Sequence, residues 1–241
     1  EYRTFPEEKM LTAEVLPVDS GMFRYPFRIC VKDNMLILLD LHNTDYYLHA
    51  FTYPKMEFIT SFGHRGEAPE DLLSIETFIF NSPDSIWVLD SSKQQITRWK
   101  ISSQNRTAER VEEIGLDKDI VRGLDFVKVG SSFVIPDYMG NYRINTIDMQ
   151  GKIIQREGDI PTVKHANNKR ISRPALSQAW RSFMGYNPNK QILVLGTQLG
   201  EVIEIRHLND STQNVILYGP NGEPQFKESG GYGIPIGIMG F

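Results

Sequence analysis

The side chains best suited to hold a ligand are four arginines. Arg24, Arg122 and Arg173 each stand just ahead of a strand-like run, and Arg65 sits in a glycine-rich corner, GHRGEAPEDL. A guanidinium offers a planar fork of donors that fits carboxylate or phosphate. If the runs behind them line a common channel, the four gather at one mouth as an anion site. The plainer reading is solvated or ion-paired arginine, with Glu67, Asp71, Asp119 or Asp125 as partners. Asp40, Asp90 and Asp137 recur at the ends of apolar runs. A ring of such carboxylates could hold calcium. Alternatively, each accepts backbone N–H groups of the turn that follows it.

Other chemistry is sparse. Of the five histidines, only His42 and His49 are close in sequence, and there is no HxH or HExxH spacing for a metal. No catalytic residue is assigned: there is no GxSxG elbow, and Gly63-His-Arg-Gly66 is too short for a phosphate loop. No cofactor is expected, calcium being the one ion the carboxylates suggest. Cys30 is the single cysteine, so no intrachain disulfide forms, and it alternates within an apolar run as a core thiol does. Asn105-Arg-Thr107 and Asn209-Asp-Ser211 match the glycosylation acceptor pattern, which is short and common by chance.

The 241 residues, 40% apolar and 23% charged, describe a globular chain with ample core. A net charge of −4 without basic runs argues against a nucleic-acid surface. No stretch of eighteen apolar residues is present to span a membrane as a helix.

Apolar residues alternate or run in fives, so strands, not helices, must position these side chains. Four units of four strands can be read, at about 26–63, 74–115, 123–158 and 176–219, within a single domain over 9–241 behind an N-terminal tail, 1–8. Their second strands align as LILLD, IWVLD, FVIPD and LVLGT, the first three ending at Asp40, Asp90 and Asp137 and the last carrying Gly196 next to its end. A four-stranded repeat of about fifty residues predicts an all-β fold, a β-propeller of four-stranded antiparallel blades. Leu176–Met184 reads as strand, after a polar loop with a short helical turn over 159–175. Residues 219–233 read as a corner and 233–241 as the first strand of a fifth blade. Residues 9–17 read as a strand closing a circular seam. Six blades would need roughly 310 residues, which predicts that this chain is part of a longer one. Trp87, Trp99 and Trp180 fit packing between blades, and an exposed one could be a sugar platform.

The stretch FITSFGHRGEAPEDL resembles the corner signature of NHL-like and TolB-like six-bladed propellers, with Gly63, Gly66, Pro69 and Leu72 at the signature positions. SQAWRSFMGYNPNKQILVLGTQLGEVIEI looks like the fourth blade of the TolB-like family, found mostly in Bacteroides-type bacteria. The resemblance implies six blades and an exported location, periplasmic or anchored to the outer membrane, often as a lipoprotein of unknown function. It carries over no catalytic residue. The function expected is an exported binding or protein-interaction module for a small anion, glycan or protein. The rival is a propeller enzyme of lactonase, sugar-oxidising or lyase type, with a metal or cofactor in the channel. A purely structural surface subunit is a third reading.

Overall fold

The computed structural model describes residues 7–15, 22–166 and 168–237. The first sheet is β1 (Pro26–Lys32), β2 (Met35–Asp40), β3 (Tyr46–Thr52) and β4 (Phe58–His64), bonded in chain order. The second repeats this with β5 (Ile75–Ser82), β6 (Ser85–Asp90), β7 (Gln95–Ser102) and β8 (Thr107–Gly115). The third holds β9 (Val127–Val129), β10 (Ser132–Pro136), β11 (Ile144–Ile147) and β12 (Ile153–Glu157). A short helix, α1 (Arg173–Ala179), precedes the fourth sheet: β13 (Ser182–Asn187), β14 (Ile192–Thr197), β15 (Val202–His207) and β16 (Val215–Tyr218). A hairpin of β17 (Gln225–Ser229) and β18 (Tyr232–Ile236) follows. Every pairing between these strands is antiparallel, as tight turns between consecutive strands require.

β6 shows how the sheets stack. Successive side chains of a strand point to opposite faces. Ile86 and Val88 enter one buried cluster with Met35, Ile37 and Leu39 of the first sheet. Trp87 and Leu89 enter another with Phe126, Phe133 and Ile135 of the third. Val127 and Val134 then pack on Leu193 and Leu195 of the fourth. The second and third sheets are thus layers between two neighbours, and burying both faces is what a run such as SIWVLD demands. The result is a fan of four-stranded blades, a β-propeller. Trp87 and Trp180 are fully buried and Trp99 nearly so, which makes them packing residues and not sugar platforms.

The glycine-rich corner joins the first two sheets. Gly63 adopts φ +67°, and the Leu72 side chain lies 2.8 Å from where a Cβ would project, so only glycine fits there. Leu72 is fully buried, and its carbonyl accepts from Gly66 N at 3.1 Å.

Three segments differ from the sequence reading. Leu176–Met184 is not one strand: α1 occupies 173–179, and β13 begins only at Ser182. Ser172 caps the helix through Oγ, accepting from Ala175 N, and Pro174 lies in its first turn, where a missing N–H costs nothing. That signal stands in the sequence as SRPA, ahead of the apolar residues that suggest a strand. The span 219–233 is not a mere corner, because it contains β17, so 232–236 is the second strand of the fifth unit and not its first. Residues 9–15 pair with no strand and are exposed; 16 and 17 lie outside the described residues, as do 238–241.

One buried group links the first sheet to pH. His49 is enclosed, its Nδ1 2.8 Å from Ser61 Oγ, and burial lowers its pKa against the weaker pull of Asp40. A depressed histidine pKa means the unfolded chain takes up the proton first. His49 therefore stabilises the fold fully above about pH 6.5, and that share is lost as pH falls through the folded pKa. Melting temperature should drop between neutral pH and pH 5, and His49→Gln should flatten the drop. An unchanged pH slope in the variant would assign the dependence to other groups.

Candidate functional site

The recurring aspartates shape the end of the sheets where the first strands begin. Asp40 accepts from the N–H groups of Arg24 and Tyr25, both at 2.7 Å, and from His42 at 3.2 Å. Asp90 accepts from Leu73 and Ser74 upstream and from Ser92 and Lys93 downstream. Asp137 does the same with Val121, Arg122, Met139 and Gly140. Each carboxylate therefore clamps the incoming connection as well as its own turn. Burial pushes the Asp40 carboxyl up, but the three N–H groups and Asn43 outweigh it and hold its pKa below the usual range. Among the described residues no three His, Cys, Asp or Glu side chains are grouped to hold a metal ion.

The clamps set a common register. Pro26, Ile75 and Gly123 pair with Asp40, Asp90 and Asp137. Two residues further along stand Arg28, Thr77 and Asp125. In the fourth sheet Phe183, opposite Gly196, holds the matching place beside Thr197. These four equivalent positions meet. The Arg28 guanidinium hydrogen-bonds Thr77 Oγ1, lies 3.5 Å from Asp125 Oδ1 and sits 5.6 Å from the Phe183 ring centroid. First strands that touch across the fan are its inner strands, so Arg28 marks the central channel. A second ion pair crosses beside it, Arg181 Nη2 to Glu76 Oε2 at 2.9 Å, with Ser91 Oγ donating to Glu76 Oε1.

Asp125 is almost wholly enclosed. Burial pushes its carboxyl above the usual range despite Arg28 and the N–H groups of Met184 and Phe126. Cys30, two residues past Arg28, is half-buried, and burial raises its thiol against the opposing effect of Arg28, which keeps it protonated and unreactive. Arg28 and Arg181 keep about a fifth to a quarter of their side chains exposed, so solvent reaches the cluster. Chemically it offers two cations, two carboxylates and two hydroxyls within one channel.

The four arginines singled out from sequence lie at the same end of the sheets, with partners in separate places. Arg65 Nη1 donates to the carbonyls of Leu41 and Asn43 in the first sheet. Arg173 pairs with Asp159 at 2.6 Å and donates to Gly140 O. Arg24 and Arg122 are held through their backbones, and their side chains are exposed. They occupy adjacent, not equivalent, places in the clamp: Arg24 matches Val121, and Tyr25 matches Arg122. Sequence reasoning missed Arg28, Arg181 and Glu76. For Arg28 the available signal was a charge two places past the clamp-paired Pro26 inside an otherwise apolar strand; Glu76 and Arg181, one place from Ile75 and Ser182, carry no such mark.

The TolB-like 6-blade propeller-like family matches residues 4–241. This chain belongs to that family. Among solved structures, a Bacteroides fragilis protein named only as exported aligns with this TolB-like chain at TM-score 0.56 and 13% identity, over 85% of this chain and 53% of its own. A catalytically inactive virginiamycin B lyase from Staphylococcus aureus, solved with quinupristin, aligns at 0.50 and 14%, over 81% and 56%. A Bacteroides vulgatus protein from a family without assigned function aligns at 0.50 and 11%, over 88% and 60%. The TolB-like chain spans between half and three-fifths of those lengths, and likeness at such identities speaks for the fold alone. None of the curated proteins compared with it matches. No helix among its described residues is long and apolar enough to cross a membrane.

Proposed function

We propose that this chain is an exported binding module, periplasmic or outer-membrane-anchored, that takes a small anionic ligand in its central channel. The observation that carries the reading is Arg28, which touches the equivalent position of all three other four-stranded sheets. A ligand carboxylate meeting Arg28 and Arg181 would replace contacts to Asp125 and Glu76, whose freed oxygens then accept from the ligand's hydroxyl or amine groups. The exposed Arg24 and Arg122 stand at the same end of the sheets, where they would meet such an anion on its way in. Export is supported by the family and by the name of its Bacteroides fragilis relative.

A second reading, a lactonase, sugar-oxidising or lyase type of enzyme, is favoured by Asp125. A carboxyl with a raised pKa at the axis suits proton transfer. It also agrees with the lyase name on one structural relative.

A thermal-shift screen of small carboxylates, amino acids and sugar acids tests the first reading. Bound ligand raises the melting temperature by mass action. Arg28→Met should lower affinity for a hit by about tenfold or more, since a charged hydrogen bond contributes roughly 1.5–3 kcal/mol. A hit bound equally well by Arg28→Met would place the ligand elsewhere. Turnover of a screened compound that is lost in Asp125→Asn would establish the enzyme instead.

A further inference from the structure

The geometry points to a second binding site, separate from the channel, for the carboxylate of an acidic sugar at the corner between the first two sheets. A cavity of about 410 Å³ opens there, lined by Leu41, His42, Asn43, Thr44 and Arg65. That volume is at the lower end of small-molecule pockets and suits a single ring.

Arg65 is set in place before any ligand arrives. Its Nη1 donates to Leu41 O at 3.1 Å and Asn43 O at 3.3 Å, and its guanidinium carbon lies 5.0 Å from the Tyr47 ring centroid. One edge and one face are therefore used. Its Nε and Nη2 donors have no partner among the described residues, and those two form the fork that grips a carboxylate. The loop beneath is fixed by Asn43, whose Oδ1 accepts from Asp45 N and Tyr46 N and whose Nδ2 donates to Met22 O. A cation held in this way loses little freedom on binding.

Two exposed tyrosines neighbour residues that line the cavity, Tyr25 beside His42 and Tyr46 through its N–H to Asn43 Oδ1. Tyr25, 46% exposed, packs on His42 at a tilt of 31°, with centroids 4.8 Å apart. Tyr46, 39% exposed, meets His64 edge-on at 5.6 Å. Asp71 holds His64 through Nδ1 at 2.9 Å, leaving Nε2 as its unused nitrogen. Exposed aromatic faces beside a hydroxyl, Thr44, suit the C–H face and hydroxyls of a pyranose. The corner's own chain also carries Asp45, Glu67, Glu70 and Asp71. Against those charges a lone guanidinium favours a monoanionic carboxylate over a doubly charged phosphate.

Titration calorimetry on the full chain with glucuronate, glucose, glucose 6-phosphate and inorganic phosphate tests this. Glucuronate is expected to bind, with glucose at least about tenfold weaker for lack of the carboxylate and both phosphates weaker too. Arg65→Met and Tyr25→Ala should each weaken glucuronate by about tenfold or more, while Arg28→Met leaves it unchanged. Thr44→Val, which touches no loop-fixing bond, serves as the variant that keeps the fold and should weaken binding severalfold. Three results would overturn the assignment: no glucuronate binding at about 10 mM, equal binding of glucose, or tighter binding of phosphate. Loss of glucuronate binding in Arg28→Met, with Arg65→Met unaffected, would move the sugar acid into the channel.

Discussion

Arg143→Met is expected to cost this chain about 3–5 kcal/mol of folding stability, because it strands a buried charge. The Arg143 side chain is wholly enclosed between the third and fourth sheets, and its Nη1 lies 2.5 Å from Glu204 Oε1, itself 2% exposed. Its guanidinium packs 5.1 Å from the Tyr138 ring centroid and 5.9 Å from that of Trp180. Burial alone would depress the Arg143 pKa, yet Tyr138 and Glu204 together raise it, so the cation is the stable form. Removing it leaves Glu204 with Arg206 alone, at 3.4 Å. Glu204→Leu in the same chain should restore much of the loss, since replacing both charges with apolar groups removes the desolvation cost along with the attraction. Urea unfolding reads both: the midpoint should fall in the single variant and recover in the double, with an unchanged slope. A single variant within about 1 kcal/mol of the parent would mean that Arg206 or water takes over the pairing.

Asp90→Ala should be of similar size, roughly 3 kcal/mol or more, because one carboxylate satisfies four backbone donors. Those are Leu73 at 2.6 Å, Ser74 at 3.2 Å, Ser92 at 3.1 Å and Lys93 at 3.0 Å, around a fully buried aspartate. Asp90→Asn keeps one acceptor but turns an N–H₂ toward donors that need an oxygen, so an intermediate loss is expected. Hydrogen exchange gives the local readout. The Leu73 and Ser74 amides should exchange faster in Asp90→Ala, well before the β6 ladder does. Unchanged protection at those two amides would show that the clamp is not what holds the connection.

How much of this is legible in the sequence follows from the range of each interaction. LILLD, IWVLD and FVIPD leave one arrangement open, since runs apolar on both faces must lie between two layers. The matching aspartates are visible as turn residues, and their turn bonds are local. Their longer reach, fifteen and sixteen residues back to the preceding connection, is not visible, because hydrogen bonds across a blade leave no period in the chain. Helix α1 escapes a strand-based reading for the opposite reason. Seven residues are too few for helical periodicity to assert itself over apolar content, and the Ser172 cap with Pro174 is the stronger local signal.

The channel as a set of four residues lies beyond sequence reasoning. Arg28, Thr77, Asp125 and Phe183 share no residue type and are spaced by irregular connections, so nothing marks them as one layer until strand register aligns them. Residue order by itself determined a radial stack of four-stranded sheets, since alternation and turn chemistry act between neighbours in the chain. Which guanidinium reaches the axis, and which carboxylates it meets, was decided by packing alone: the closeness of side chains from four different sheets exists only once the fan has formed.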